Sequence, residues 1–191
     1  VTDSAVYTDK VYNYGTFDFD EDFYMNFIKG RLLYCLSVEK YSDFVAFYQE
    51  EGRSISEQVL DLTGTEKLRL QKALNINAAY QNRYYKYQFL YDNCATRIRD
   101  IVKSNTDAQV TFKKILPADD ITFRKMIHSY LHKTGNDWSG VGIDILLGMS
   151  LDKKMKNEET MFLPDFLAKG FDSAYNGSRK LVSGTHTIYT A

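Results

Sequence analysis

The heptapeptide Tyr91-Asp92-Asn93-Cys94-Ala95-Thr96-Arg97 (YDNCATR) decides the reading of this chain. Asp92 and Asn93 both carry the short polar side chains that cap helices. An amphipathic run follows, with Ile98, Ile101 and Val102 on its apolar side. The spacing predicts a helix that opens at Cys94. A thiol in the first turn of a helix faces unpaired N–H groups and the positive end of the helix dipole, and both favour thiolate over thiol. Thiolate is the nucleophile, and the same N–H groups can receive the oxyanion of a bound carbonyl. Arg97, one turn on, adds positive charge. The plain alternative is a Cys that serves as a small apolar side chain in a core.

Outward from this stretch the chain alternates helix and strand patterns. Residues 83–91 (RYYKYQFLY) are either extended or a continuation of the preceding helix, residues 65–80, which Thr63 caps. Residues 10–19 (KVYNYGTFDF) alternate aromatic with small or polar side chains, a strand signature in which Gly15 marks a bulge or a close backbone approach. Residues 31–38 and 53–60 read as two more strands, 110–115 as a short extended piece and 179–189 as a last strand. Helices are expected at 23–29, capped by Asp20-Glu21-Asp22, and at 42–48, 122–131 and 137–147, the last ending at Gly148. A further helix at 158–174 is interrupted or started by Pro164. No repeat, low-complexity segment or composition shift divides the 191 residues. They form one α+β domain, an antiparallel sheet with packed helices, long enough for a sizeable core.

Composition excludes several functions. A net charge of -1 gives no field for nucleic acid or an anionic membrane surface. Only two Cys are present, so neither a disulfide framework nor a metal site built on paired Cys is available. Cys35 lies in an apolar strand and reads as a buried small hydrophobe. No run reaches the length of a membrane span, and no signal peptide is evident. The start at Val1-Thr2-Asp3, without an initiator Met, reads as a processed or trimmed piece.

A thiol nucleophile needs a base, usually His. His128 and His132 are four apart on a predicted helix, without the adjacent Glu or third ligand of a zinc site. His186 lies in the tail, and none of the three is a convincing partner for Cys94. The acidic run Asp18, Asp20, Glu21, Asp22 lacks calcium-loop spacing and suits helix capping. Lys153, Lys154 and Lys156 read as solvated. No metal or cofactor is expected.

Four segments in one order carry a resemblance: 11–19 (VYNYGTFDF), 30–34, 91–97 and 161–165 (MFLPD). Together they resemble the DUF4105 family, described as the periplasmic N-terminal domain of Lnb-type lipoprotein N-acyltransferases, over nearly the whole chain. The resemblance implies a periplasmic, cell-envelope location and Cys-dependent acyl transfer on lipoproteins through a thioester. It also implies a permuted papain or NlpC/P60-type arrangement, in which a His on an early strand precedes an Asn-Cys helix. Cys94 then matches the nucleophile, with Asn93 and Asp92 as its cap and as oxyanion or orientation candidates. Tyr12, Tyr14, Arg97 and Tyr91 become candidates for the substrate groove. The family's Gly-His segment falls just upstream of the position of Val1, so the domain at 1–191 is expected to lack its first strand. An edge exposed in that way would allow a homodimer.

Two other readings stand beside acyl transfer. One is a papain-like peptidase or amidase acting on cell-wall peptides. The other is a non-catalytic binding module on the same scaffold, with Tyr84, Tyr85, Tyr87 and Tyr91 lining a ligand groove.

Overall fold

The alternation of aromatic and small residues after Thr8 builds the strand on which the molecule is organised. The computed structural model describes residues 2–3, 8–17, 25–26, 31–133 and 137–191. Strand β1 (Thr2–Asp3) pairs with β2 (Thr8–Phe17) only at Thr8 and Asp9. On its other side β2 pairs antiparallel with β3 (Leu33–Lys40), Tyr12 opposite Val38 and Phe17 opposite Tyr34. The register shifts between Asn13 and Thr16. This is the bulge expected at Gly15, whose N–H donates to Asn13 Oδ1 at 2.8 Å. Strand β5 (Tyr84–Lys86) completes the sheet in the order β1-β2-β3-β5.

One face of this sheet is apolar and covered. Tyr14, Leu36 and Tyr85 project from it to join Leu74 in a buried cluster. Leu74 comes from α2 (Gly64–Ala78), and α3 (Cys94–Ser104) packs beside it against β2. Helix α1 (Tyr41–Glu50) packs on β2 and β3. Strand β4 (Ile55–Leu60) leads into α2.

Helix α2 starts where Thr63 predicts, in a reciprocal capping box with Glu66. The Glu66 carboxylate does more than cap. It is 0% exposed. It accepts from the N–H of Thr63 (2.7 Å) and of Asp107 (2.8 Å), from the Asn176 amide (2.6 Å) and from Arg179 (2.7 Å). Burial opposes its ionisation, but these donors outweigh burial and hold its pKa at about 2. Glu66 thereby ties α2 to the loop after α3 and to the C-terminal hairpin.

The rest of the chain is helical, with short strands. After β6 (Val110–Thr111) come α4 (Phe123–Lys133) and α5 (Asp137–Leu147), the latter ended by Gly148 at φ 53. Two 3-10 turns, Gly148–Asp152 and Asn157–Phe162, precede α6 (Pro164–Asp172). The helix expected at 158–174 is therefore split. Pro164, lacking an N–H, takes the first helical position, and the residues before it wind more tightly. The chain ends in β7 (Tyr175–Asn176), β8 (Arg179–Lys180) and β9 (Val182–Tyr189), with β9 paired to β4. The extended piece expected at 110–115 shortens to two residues. The tail strand breaks at Leu181, which is fully buried and bonds through its backbone to Ala174 and Asp61. The helix expected at 23–29 and the acidic run at 18–22 lie almost wholly outside the described residues. The architecture is α+β, with antiparallel sheets and packed helices, as expected from the sequence.

Candidate functional site

Helix α3 opens as the heptapeptide predicts, and Asn93 is its cap. The Asn93 Oδ1 accepts from the Thr96 N–H at 2.9 Å, and the Thr96 Oγ1 accepts from the Asn93 N–H at 2.8 Å. The Asn93 amide nitrogen donates to two further carbonyls, Phe89 O and Phe162 O, both at 2.9 Å. Asn93 is 3% exposed, and its acceptor and both its donors are engaged. Its side chain thus holds the helix, the turn before it and the end of the second 3-10 turn in one unit. No amide proton is left over for an oxyanion.

Cys94 takes the first helical position. The N–H groups of Cys94 and Ala95 bear on its own sulfur and pull the thiol pKa down. They do not prevail. The thiol packs against the cluster of Tyr14, Leu36, Leu74 and Tyr85, alongside Tyr34 and Tyr87. Burial there pushes its pKa up, above the ordinary thiol value. The helix start favours thiolate as expected, but burial opposes it more strongly. Burial likewise raises the pKa of Tyr34, Tyr85 and Tyr87, and charge on Cys94 pushes each of them higher still. Tyr34 is stacked between Phe17 (4.9 Å) and Tyr87 (4.1 Å), so rings wall the thiol on the sheet side.

The bulge in β2, in the same sheet, also approaches Cys94. A Cβ placed on Gly15 would lie 4.0 Å from the Cys94 Cβ and 3.2 Å from Asn13 Oδ1. The first side-chain carbon here would press on the Asn13 amide oxygen and touch the Cys94 side chain, so β2 and α3 approach closely at this point. Gly in an aromatic strand was the sequence signal for this approach, and the structure identifies Cys94 as what is approached.

Asp92 and Arg97 pair with each other across the cap. Arg97 donates to both Asp92 oxygens, at 2.7 and 2.8 Å, and its guanidinium lies 3.8 Å over the Tyr85 ring. The Tyr85 hydroxyl donates in turn to Tyr14 O at 2.6 Å. The Arg97 charge is therefore spent on Asp92 and Tyr85, and the forces that shift the Cys94 thiol are burial and the two backbone N–H groups.

The other expected site residues divide. Tyr12 and Tyr14 line a groove between β2 and α3. Tyr91 is elsewhere: it is 44% exposed, lies edge-on to Phe123 and carries Lys153 over its ring. Of the Tyr-rich segment, Tyr85 and Tyr87 join the thiol's cluster, whereas Tyr84 pairs with Cys35 on the opposite face. Cys35 is half-buried and free, less enclosed than its apolar surroundings suggested. His128 is bound to Asp144 on α5 at 2.9 Å, and His186 sits on β9 opposite Glu57. Among the described residues, no three His, Cys, Asp or Glu side chains are grouped to hold a metal ion. Nor is any helix long and apolar enough to cross a membrane.

A family model described as the Lnb N-terminal periplasmic domain matches residues 1–129, a span that includes the Gly15 bulge, the Cys94 helix and most of α4. No curated protein and no solved structure matches the chain.

Proposed function

Because this chain belongs to the Lnb N-terminal periplasmic domain family, which places it in the periplasm, we propose that it performs thiol-based acyl transfer in the cell envelope with Cys94 as nucleophile. One observation carries this reading. A thiol occupies the first position of a capped helix, where two N–H groups bear on its sulfur.

In the proposed step, a base takes the Cys94 proton and Sγ attacks the carbonyl of an acyl donor. The carbonyl oxygen gains charge beside the N–H groups of Cys94 and Ala95, the two that the Asn93–Thr96 cap leaves unused. The C–S bond forms as the bond to the donor's leaving oxygen or nitrogen breaks, and the leaving atom takes the proton. An amine then attacks the thioester, the C–S bond breaks and the thiol returns. Because burial keeps the resting thiol protonated, the reaction depends on that base. The family resemblance implies that this base is a His, in a permuted papain or NlpC/P60-type site.

Hydrolysis of a cell-wall amide shares the acyl-enzyme and differs only in using water as acceptor. The rings around the thiol favour transfer, since apolar walls keep water from the thioester. The test uses the full-length protein with a diacyl phospholipid donor and an amine-terminated lipopeptide acceptor. Cys94→Ser is expected to abolish transfer, while Cys35→Ser retains it. Transfer that persists in Cys94→Ser rejects the proposal, and loss in both variants without unfolding points to a role for Cys35 that this reading does not contain.

A further inference from the structure

Strand β2 reaches Cys94 where its ladder with β3 is interrupted. Asn13 faces Ser37 and Thr16 faces Cys35, which leaves Tyr14 and Gly15 opposite the single residue Leu36. Side chains hold the peptide that joins these two residues. Its carbonyl accepts from the Tyr85 hydroxyl at 2.6 Å, in the protein interior, and its N–H donates to Asn13 Oδ1 at 2.8 Å. The same peptide carries Gly15 to its approach with Cys94, where an added Cβ would lie 4.0 Å from the Cys94 Cβ.

Tyr85 has a second attachment, to the other element that meets at the thiol. Its ring lies under the Arg97 guanidinium at 3.8 Å, and Arg97 is clamped by both Asp92 oxygens at the start of α3. Its backbone pairs with Tyr34 in β3. One buried residue thus ties the β2 bulge by its hydroxyl and the Cys94 helix by its ring. The two attachments are separable, because Tyr85→Phe keeps the ring under Arg97 and removes only the bond to the bulge.

We propose that Tyr85 is a positioning residue of the thiol site: its hydroxyl fixes the Tyr14–Gly15 peptide, and through it the closeness of β2 to Cys94 that limits water at the sulfur. Its part in acyl transfer rests on the reading of Cys94 as nucleophile. The positioning itself does not, and the experiment separates the two. A buried carbonyl stripped of its donor turns toward water, so Tyr85→Phe loosens the bulge. Water beside the sulfur relieves the burial that opposes the thiolate.

The readout is the rate of Cys94 alkylation by iodoacetamide against pH, followed by mass spectrometry of the Cys94 peptide from the full-length protein. Tyr14, Tyr34, Tyr85 and Tyr87 are the titratable groups of the sheet around the thiol, and burial holds all four above the ordinary Tyr value, so the profile near neutral pH reports the sulfur. The Asp92–Arg97 pair on the helix side is common to every variant. In Tyr85→Phe the profile should move to lower pH by about half a unit or more, so that alkylation below the midpoint quickens about threefold. Asn13→Ala frees the other end of the same peptide and should act in the same direction, and it serves if Tyr85→Phe does not fold. The double variant should move the profile no further than the larger single change. Tyr14→Phe removes a hydroxyl from the same buried cluster, the one that accepts from Asn77, and should leave the profile in place.

An unmoved or upward-moved profile in folded Tyr85→Phe, an equal shift in Tyr14→Phe, or additive shifts in the double variant each overturns the positioning role. A shifted profile together with a Cys94 that never acylates leaves Tyr85 in its role and rejects the nucleophile. Acyl transfer through Cys94 with an unmoved Tyr85→Phe profile rejects Tyr85 and leaves the nucleophile standing.

Discussion

Replacing Asn93 with Ala tests whether this side chain builds the site or takes part in its chemistry. Three hydrogen bonds are lost with the amide: one accepted from Thr96 and two donated to the carbonyls of Phe89 and Phe162. Loss of an Asn cap costs about 1 kcal/mol. Each carbonyl left buried without its donor costs about 1–3 kcal/mol. The sum is about 3–7 kcal/mol, a large part of the 5–15 kcal/mol that typically holds a domain together. For a chain of this size that corresponds to a fall in Tm of roughly 10–20 °C. The assay is a urea or thermal melt followed by circular dichroism. Asn93→Ser keeps an acceptor for Thr96 but neither donation, and should fall between wild type and Ala. Asn93→Asp also keeps the acceptor, but it points carboxylate charge at two carbonyls and should cost at least as much as Ala. A purely catalytic Asn93 predicts the reverse, lost activity with unchanged melts. Stability of Asn93→Ala within about 1 kcal/mol of wild type would refute the reasoning.

Two further predictions concern acid stability and access to the thiol. Glu66, held at about 2 against an ordinary 4.5, contributes stability that is complete above about pH 4.5 and is lost as pH falls toward 2. The contribution is roughly 3 kcal/mol, and Glu66→Gln should remove both it and the acid slope, so parallel pH–stability curves for the two proteins would show that the buried carboxylate does not act this way. Gly15→Val places methyls over Cys94 and should slow alkylation of that thiol by iodoacetamide about tenfold at pH 8.5, with Gly15→Ala less affected. Wild-type alkylation in a folded Gly15→Val protein contradicts the assigned approach of β2 to the thiol.

Local chemistry was legible in the sequence, and long-range chemistry was not. The caps at Thr63 and Asn93, the bulge at Gly15, the stop at Gly148 and the helix start at Pro164 depend on residues a few positions apart, and each stands where its residue type predicts. The second job of Asn93 depends on Phe162, 69 residues away. The role of Glu66 depends on Asn176 and Arg179, more than a hundred residues on. No local pattern announces such partners. The thiol pKa shows the same division. The helix position that lowers it is local, but the rings that raise it come from β2, β3 and β5, and burial prevails. Tyr91 misled for a related reason. It adjoins the Cys motif in sequence, yet the turn before α3 sends it toward Phe123 while Tyr85 and Tyr87 meet the thiol.

The central claim is that Cys94 carries the acyl group, and site-mapped mass spectrometry of the full-length protein after exposure to an acyl donor tests it most directly. The account predicts one adduct of acyl mass on the peptide containing Cys94, released by neutral hydroxylamine as a thioester is, and absent from Cys94→Ala. Acyl transfer that proceeds with Cys94 unmodified, or an adduct that survives in Cys94→Ala, would contradict it.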